Sequence, residues 1–244
     1  MASLGDDDDD TPQLSADTLD ILKRFYNERD TRQKQFEDLK AKAEDEFDAD
    51  QKLSMEVFTE DWNASQFWYN DETATALARQ LLDGATDDTK IVVVSAPSTF
   101  IQLKNLLATE EYKIRPQITL LEYDDRFAVF KEFHHYDFEQ PLKLPVELKG
   151  SFDRIICDPP FLSDDCQTKA ALTVRWLAKT WTSASDENGL KLIVCTGERM
   201  EPLISKLYAK VGTRTTSFEV VHAKGLSNEF RCYANFECGA WKWV

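Results

Sequence analysis

The chain has 244 residues, of which 42% are apolar, and it includes six tryptophans and fifteen phenylalanines. This apolar content is sufficient for a full hydrophobic core and excludes an intrinsically disordered protein. The formal net charge is −15, because 44 acidic residues face 29 basic ones. Proteins that bind a polyphosphate backbone normally carry a basic surplus, so the composition argues against a nucleic-acid partner and favours a basic or neutral substrate.

The five cysteines are widely spaced and never form a Cys-x-x-Cys pair. We therefore expect neither a disulfide framework nor a zinc cluster, and no metal site. No window approaches 18 uncharged apolar residues, and the N-terminus has no basic or apolar stretch. These features predict a soluble, cytoplasmic protein without a membrane partner.

The first 50 residues differ in composition from the rest of the chain. They hold 16 acidic and 7 basic residues and so account for −9 of the net charge. Five consecutive aspartates repel one another and cannot be buried, which predicts a disordered acidic tail over residues 1–13. Apolar residues at helical spacing then predict a helical arm over residues 14–50, with Ser15 as its cap. Residues 51–244 are left to form the main domain.

From residue 90 onward, short apolar runs alternate with helical patterns. Strands are predicted at residues 91–94, 118–122, 133–137, 152–157, 190–195, 217–222 and 230–238. Helices are predicted at residues 71–82, 100–109, 126–131, 166–181 and 200–211. Strands separated by helices form a parallel sheet covered on both faces, and a terminal hairpin adds an antiparallel strand. The predicted fold is therefore α/β, a seven-stranded, Rossmann-like, doubly wound sheet with an antiparallel C-terminal strand and an N-terminal helical extension.

Acidic residues follow three of the first four predicted strands. In an open parallel sheet, ligands bind beyond the carboxyl ends of the strands, near the point where the strand order reverses. Glu122 directly ends the second strand and is placed to accept both hydroxyls of a ribose, with Asp124 as the second candidate. Asp137 could bind an exocyclic amine, and Phe138 could stack on a base. Together these residues outline a nucleoside site.

The residues Asp158-Pro159-Pro160-Phe161 directly follow the apolar run at 152–157 and are the most informative feature of the chain. Each proline fixes its own φ and restricts the residue before it, so the motif forms a rigid elbow at the end of a strand. A carboxylate, a fixed carbonyl and an aromatic ring then converge on one small volume. This arrangement suits an amino nitrogen, because the oxygens accept its N–H bonds and the ring covers the group that carries it.

With these residues the chain resembles the class I S-adenosylmethionine-dependent methyltransferases, in which the elbow is similar to the amino-methylating motif [N/D]-P-P-[F/Y/W]. Four segments together resemble, more narrowly, the elongation factor 1-alpha lysine methyltransferases once catalogued as N6-adenine methyltransferases. These segments are residues 65–69 (Ser-Gln-Phe-Trp-Tyr), 121–124 (Leu-Glu-Tyr-Asp), 158–161 (Asp-Pro-Pro-Phe) and 230–236 (Phe-Arg-Cys-Tyr-Ala-Asn-Phe). The resemblance covers residues 54–244 and implies methylation of a lysine of elongation factor 1-alpha.

The resemblance also implies a set of site residues. Asp158, Pro159, Pro160 and Phe161 would be catalytic, and S-adenosyl-L-methionine would be the cofactor. The residues expected to contact it are Trp68, Ser95, Ala96, Pro97, Glu122, Asp124, Asp137, Phe138 and Asp158. Whether residues 65–69 form a packing plug or a pocket lid stays open.

One feature departs from the family pattern. The turn after the first strand, residues 95–99, has no glycine, whereas a glycine-rich turn normally lets the backbone approach the methionine part of the cofactor.

Two alternative functions remain open. A nucleic-acid adenine N6-methyltransferase would use the same elbow on a flipped base, but the acidic net charge argues against it. A non-catalytic scaffold with an eroded cofactor pocket would explain the missing glycine, but the intact elbow argues against it.

Overall fold

The computed structural model describes residues 52–58, 60, 66–225 and 229–244. It also describes seven exposed helical residues of the N-terminal region: Asp20, Lys23, Arg24, Asn27, Thr31, Lys34 and Glu37. The acidic tail predicted over residues 1–13 lies outside the described residues, as does most of the predicted arm.

A single mixed sheet of seven strands forms the centre of the protein, in the order β3-β2-β1-β4-β5-β7-β6. The strands are β1 (Lys90–Val94), β2 (Gln117–Glu122), β3 (Phe133–His135), β4 (Arg154–Cys157), β5 (Lys191–Gly197), β6 (Arg214–Glu219) and β7 (Phe230–Ala234). Strands β1 to β5 run parallel, and β7 is antiparallel to both β5 and β6. The predicted fold class, including the antiparallel C-terminal strand, is confirmed.

Helices cover both faces of the sheet. The α-helices are α1 (Asp71–Leu82), α2 (Pro97–Leu107), α3 (Asp164–Leu177) and α4 (Glu201–Leu207). The helix predicted at residues 126–131 is instead a short 3-10 helix, Asp125–Val129. The predicted strand at residues 217–222 is shifted to 214–219, where the pairing of β6 with β7 contains a register irregularity.

The alternation of side chains along β1 shows how the two faces are packed. Ile91 and Val93 belong to one buried cluster with apolar residues of α1 and α2. Val92 and Val94 belong to a second cluster with residues of α3 and α4. Successive side chains of a strand point to opposite faces, so the apolar run at residues 91–94 of β1 is what a sheet buried on both sides requires.

The strand order reverses beside β1, which pairs with β2 on one side and β4 on the other. Val94 is in register with both Leu121 and Cys157. The residues that follow these three positions, Ser95, Glu122 and Asp158, therefore leave the sheet at the same level. This is the crevice in which doubly wound sheets bind ligands.

The C-terminal residues are part of the packed structure. The indole of Trp241 is buried, and its N–H donates to the carbonyl of Phe236 at 2.8 Å. Beyond it the backbone lies along β6: Ser217 N donates to Lys242 O at 2.8 Å, and Val244 N donates to Thr215 O at 3.1 Å.

Candidate functional site

The elbow at residues 158–161 leaves the end of β4 and is fixed on both sides. Asp158 N donates to Val94 O at 3.0 Å, and Pro159 is buried. After the elbow, Gln167 Nε2 of α3 donates to the carbonyl of Phe161 at 3.0 Å. The ring of Phe161 remains 38% exposed at the mouth of the crevice. The elbow thus presents its carboxyl and its aromatic ring from a rigid backbone.

The hydroxyl of Tyr69 donates a hydrogen bond to Oδ2 of Asp158. Tyr69 is buried, its backbone N donates to Ser98 Oγ at 3.2 Å, and its ring lies 5.4 Å from that of His222. The aromatic segment at residues 65–69 is visible in the sequence, but this contact is not, because 89 residues separate the two partners.

The environment of Asp158 disfavours its charged form. Burial raises the pKa of this carboxyl to about 8, the hydrogen bond from Tyr69 opposes the rise, and the charge of Glu122 adds to it. Burial also raises the pKa of Tyr69 well above its ordinary value, so the phenol stays protonated and acts as the donor. Strongly perturbed carboxyls in a crevice are typical of functional sites.

Glu122 lies buried at the end of β2. Its Oε1 accepts hydrogen bonds from the backbone N of Tyr123 at 2.8 Å and of Asp124 at 3.2 Å. Burial raises the pKa of the carboxyl to about 7, and these two hydrogen bonds limit the rise. Among the described residues, no group donates to Oε2. The carboxylate is therefore anchored through one oxygen, Oε1.

Asp124, the second candidate for the ribose, is already engaged within the protein. Its two oxygens accept hydrogen bonds from Arg126, and Oδ2 also accepts one from Gln66 Nε2 at 3.2 Å. Burial raises the pKa of Asp124, but the hydrogen bonds from Arg126 outweigh it and leave the pKa below its ordinary value. Asp124 therefore acts in the structure as the partner of Arg126.

The structure brings Phe138 to the elbow. Its ring lies 5.5 Å from that of Phe161, so the two aromatic residues share one side of the crevice. Asp137 accepts hydrogen bonds from Glu139 N at 2.9 Å and from Gln140 Nε2 at 3.1 Å. Asp137 is thus held in its loop by local contacts, with its carboxylate half-buried.

The turn after β1 adopts a backbone conformation that is typical of glycine, although it contains no glycine. Ser95 has a φ of 53°, in the left-handed region that favours glycine, and its N donates to Leu121 O at 2.8 Å. Ala96 is buried, and Pro97 is the first residue of α2. The chain therefore turns as sharply here as a glycine-containing loop.

Trp68, the remaining predicted contact, lies in the core. It is 6% exposed, its indole N–H donates to Phe58 O at 2.8 Å, and its ring packs edge-on against Phe127. Of the two open interpretations for residues 65–69, packing fits Trp68, whereas Tyr69 reaches the elbow.

An open α/β sheet in this strand order, with an anchored carboxylate after β2 and an acid-proline-aromatic elbow after β4, defines a class I methyltransferase. A family model described as "Probable N6-adenine methyltransferase" matches residues 60–238. The chain belongs to this family.

Curated relatives match the chain over nearly its whole length. Protein-lysine N-methyltransferase EFM5 of Saccharomyces cerevisiae is 43% identical over 242 residues, covering 95% of this chain and 94% of that protein. EEF1A lysine methyltransferase 1 of Homo sapiens is 37% identical over 235 residues, 96% of each protein. The relative M142.8 of Caenorhabditis elegans, named as a protein-lysine N-methyltransferase, is 40% identical over 239 residues, 95% of this chain and 97% of that protein. The resemblance seen in the sequence is confirmed.

Among solved structures, a branched-chain polyamine synthase from Thermus thermophilus, in complex with 5'-methylthioadenosine, has a similar fold. Its TM-score is 0.51 at 10% identity, with 73% of this chain and 60% of that chain covered. This likeness shows the fold alone.

Within the described part of the chain, no helix is long and apolar enough to cross a membrane.

Proposed function

We propose that this chain is an S-adenosylmethionine-dependent protein-lysine N-methyltransferase that modifies elongation factor 1-alpha. The names of the relatives support the reaction and the substrate. The observation that carries the proposal is the carboxyl of Asp158, which is held by Tyr69 at the strand end beside Ser95 and Glu122. This arrangement is suited to orienting an amine.

The residues of the crevice fit the proposed cofactor. Glu122 has a buried, anchored carboxylate whose Oε2 suits the ribose hydroxyls, and Phe138 offers a ring to the base. Ser95 adopts a left-handed backbone that allows close approach at the turn. Ala96, Pro97 and Asp137 complete the set that we propose to line the site. When bound, S-adenosylmethionine supplies a methyl group on a positively charged sulfur.

The residues of the elbow would position the target nitrogen. Tyr69 occupies Oδ2 of Asp158, which leaves Oδ1 to accept an N–H of the lysine amine. The carbonyl of Pro159 is the second proposed acceptor, and Phe161 would cover the alkyl stem of the lysine. Its ring face also favours a cation. Two fixed acceptors would hold the amine in one orientation, which lowers the entropic part of the activation barrier.

A lysine ammonium has no lone pair, so the site must receive the neutral amine. A cation bound next to the amine disfavours the ammonium form. The raised pKa of Asp158 has the same effect, because a carboxyl that is partly protonated at neutral pH stabilises an ammonium less than a full carboxylate does. We therefore propose no separate general base.

The experiment that tests this proposal is a transfer assay. The protein is incubated with radiolabelled S-adenosylmethionine and either purified elongation factor 1-alpha or a cell lysate, with and without nuclease. We expect label in the purified factor and in one lysate band of the same size, insensitive to nuclease. Label in nucleic acid would instead support adenine methylation, and absence of cofactor binding by calorimetry would support a scaffold.

A further inference from the structure

A cavity of about 740 Å³ lies between two described helical residues of the N-terminal region and the main domain. We call it the arm groove. It is lined by these two residues and by three short segments of the domain: Asn27 and Thr31, then Ser54, Met55, Glu56, Phe58 and Glu60, then Trp68, Tyr69, Asn70 and Asp71, and finally Ala223 and Lys224. None of these residues belongs to the set that we propose to line the cofactor site.

One residue that lines the arm groove also contacts the elbow. Tyr69 lines the groove and donates its hydroxyl to Asp158. The neighbouring segments are joined by the backbone, since Ala223 N donates to Trp68 O at 2.8 Å. A chain lying in the groove would therefore be one side chain away from the carboxyl that we propose to orient the amine.

The chemistry of the arm groove suits a lysine. Its described lining holds three carboxylates, Glu56, Glu60 and Asp71, against the single ammonium of Lys224. The side chain of Glu60 is 2% exposed, and Lys224 Nζ lies 3.2 Å from its Oε2. This oxygen accepts no hydrogen bond from the described residues. The other oxygen, Oε1, accepts a hydrogen bond from Trp68 N at 3.0 Å. Because Oε2 is paired only with Lys224 among the described residues, it can accept a second donor.

A second cavity provides the contrast. It has a volume of about 680 Å³ and lies near the start of β2, where Lys104, Arg115 and Lys131 are among its lining residues. It lies at the opposite end of β2 from Glu122. Its charge and its position do not suit a basic target.

We propose that the arm groove docks the lysine-bearing, basic segment of the substrate protein, and that a cationic side chain of this segment competes with Lys224 for Glu60. The inference rests on the proposed function, because it assigns the substrate route to the same active site. The occupant is identified by charge complementarity, three carboxylates against one lysine.

The first test measures KM for purified elongation factor 1-alpha. Glu56 is exposed, and its side chain makes no contact with a described residue that would be lost on substitution, so Glu56→Lys should raise KM by about fivefold with little change in kcat. Lys224→Ala should lower KM by about threefold, because the competing ammonium is removed. The matched controls are Glu187→Lys and Lys210→Ala, two exposed positions outside the groove, which change the net charge equally. Equal shifts in variants and controls, or no shift in either pair, would overturn the inference.

The second test does not depend on turnover. A photo-crosslinking amino acid is placed at position 56 or, as the control, at position 187, and each protein is irradiated with elongation factor 1-alpha. A crosslink at 56 alone supports the inference. Methyl transfer without a crosslink at 56 contradicts the docking site but not the proposed function, whereas a crosslink without methyl transfer contradicts the proposed function only. If neither occurs, both are contradicted.

Discussion

The phenol of Tyr69 holds Oδ2 of Asp158, a contact that joins the segment before α1 to the elbow after β4. Tyr69 is itself fixed by Ser98 at the start of α2 and by the ring of His222. The orientation of the proposed amine acceptor is therefore set by three parts of the chain outside β4. This relationship makes Tyr69 a positioning residue.

Substitution of Tyr69 by Phe removes one hydrogen bond while keeping the ring. We expect kcat to fall by about tenfold, because the carboxyl that positions the amine loses the hydrogen bond that fixes its orientation. Because the hydrogen bond from Tyr69 lowers the pKa of Asp158, its loss should raise that pKa above about 8. The pH at which the titration of Asp158 changes the methyl-transfer rate should then move to a higher value.

Tyr112→Phe is the matched control, since this hydroxyl only accepts a long contact of 3.5 Å from Arg79 at the surface. Methyl-transfer rates between pH 6 and 10 check the prediction. An unchanged pH profile in Tyr69→Phe would remove the positioning role.

Asp158→Asn should make the protein more stable at alkaline pH. The pKa of the wild-type carboxyl is raised from 3.8 to about 8 by burial, so the folded protein holds a proton that the unfolded chain releases above pH 4. The contribution to stability is fully present below pH 4 and is lost as pH rises through 8. The amide of Asn does not titrate in this pH range, so Asp158→Asn removes this pH dependence of the stability.

The gain in Tm from Asp158→Asn should therefore grow between pH 4 and 8 and level off above pH 8. Thermal unfolding of the wild type and of Asp158→Asn across this pH range checks whether the difference in Tm grows with pH. A gain that is constant with pH would show that the carboxyl is ionised in the folded protein.

Much of this architecture follows from local patterns. The apolar runs at residues 91–94 and 155–157 predicted buried central strands, and the acid that ends β2 predicted a carboxylate at the crevice. These features depend on side-chain periodicity and on the common level at which parallel strands end, which sequence reveals directly.

Other features depend on long-range packing and could not be predicted. Nothing near Tyr69 indicates a partner 89 residues away. The segment at residues 125–129 forms a 3-10 helix because Asp124 caps it and engages Arg126, which holds the turn tight. The position of β6 is set by its irregular pairing with β7 and by the C-terminal residues along its other side.

Glu122→Gln should weaken cofactor binding by about tenfold or more, because a charge-assisted hydrogen bond to a hydroxyl is replaced by a neutral one. Asp125→Asn is the control, because its carboxylate is exposed and bonds to His135 at 2.8 Å. Isothermal titration with S-adenosylmethionine measures the ratio of the dissociation constants of Glu122→Gln and the wild type. Equal affinities for the wild type and Glu122→Gln would exclude the proposed ribose contact.

Ser95→Gly should stabilise the protein by about 0.5–1 kcal/mol, because Ser95 occupies a φ of 53° that glycine adopts without a steric cost. Ser95→Val should destabilise it by about 1–3 kcal/mol, since a β-branched residue is strongly disfavoured there. Urea unfolding of the three proteins measures both changes. A loss of stability in Ser95→Gly would mean that the side chain of Ser95 contributes more than its backbone strain costs.

The short C-terminal stretch that lies along β6 has a consequence for solubility. Ser217 and Thr215 use it to complete hydrogen bonds that would otherwise face solvent at the outer margin of the sheet. Without Lys242 and Val244, β6 would present unpaired backbone groups to other molecules, and such strands template intermolecular pairing. Shortening the chain by these few residues would therefore favour aggregation long before it disturbed the elbow at residues 158–161.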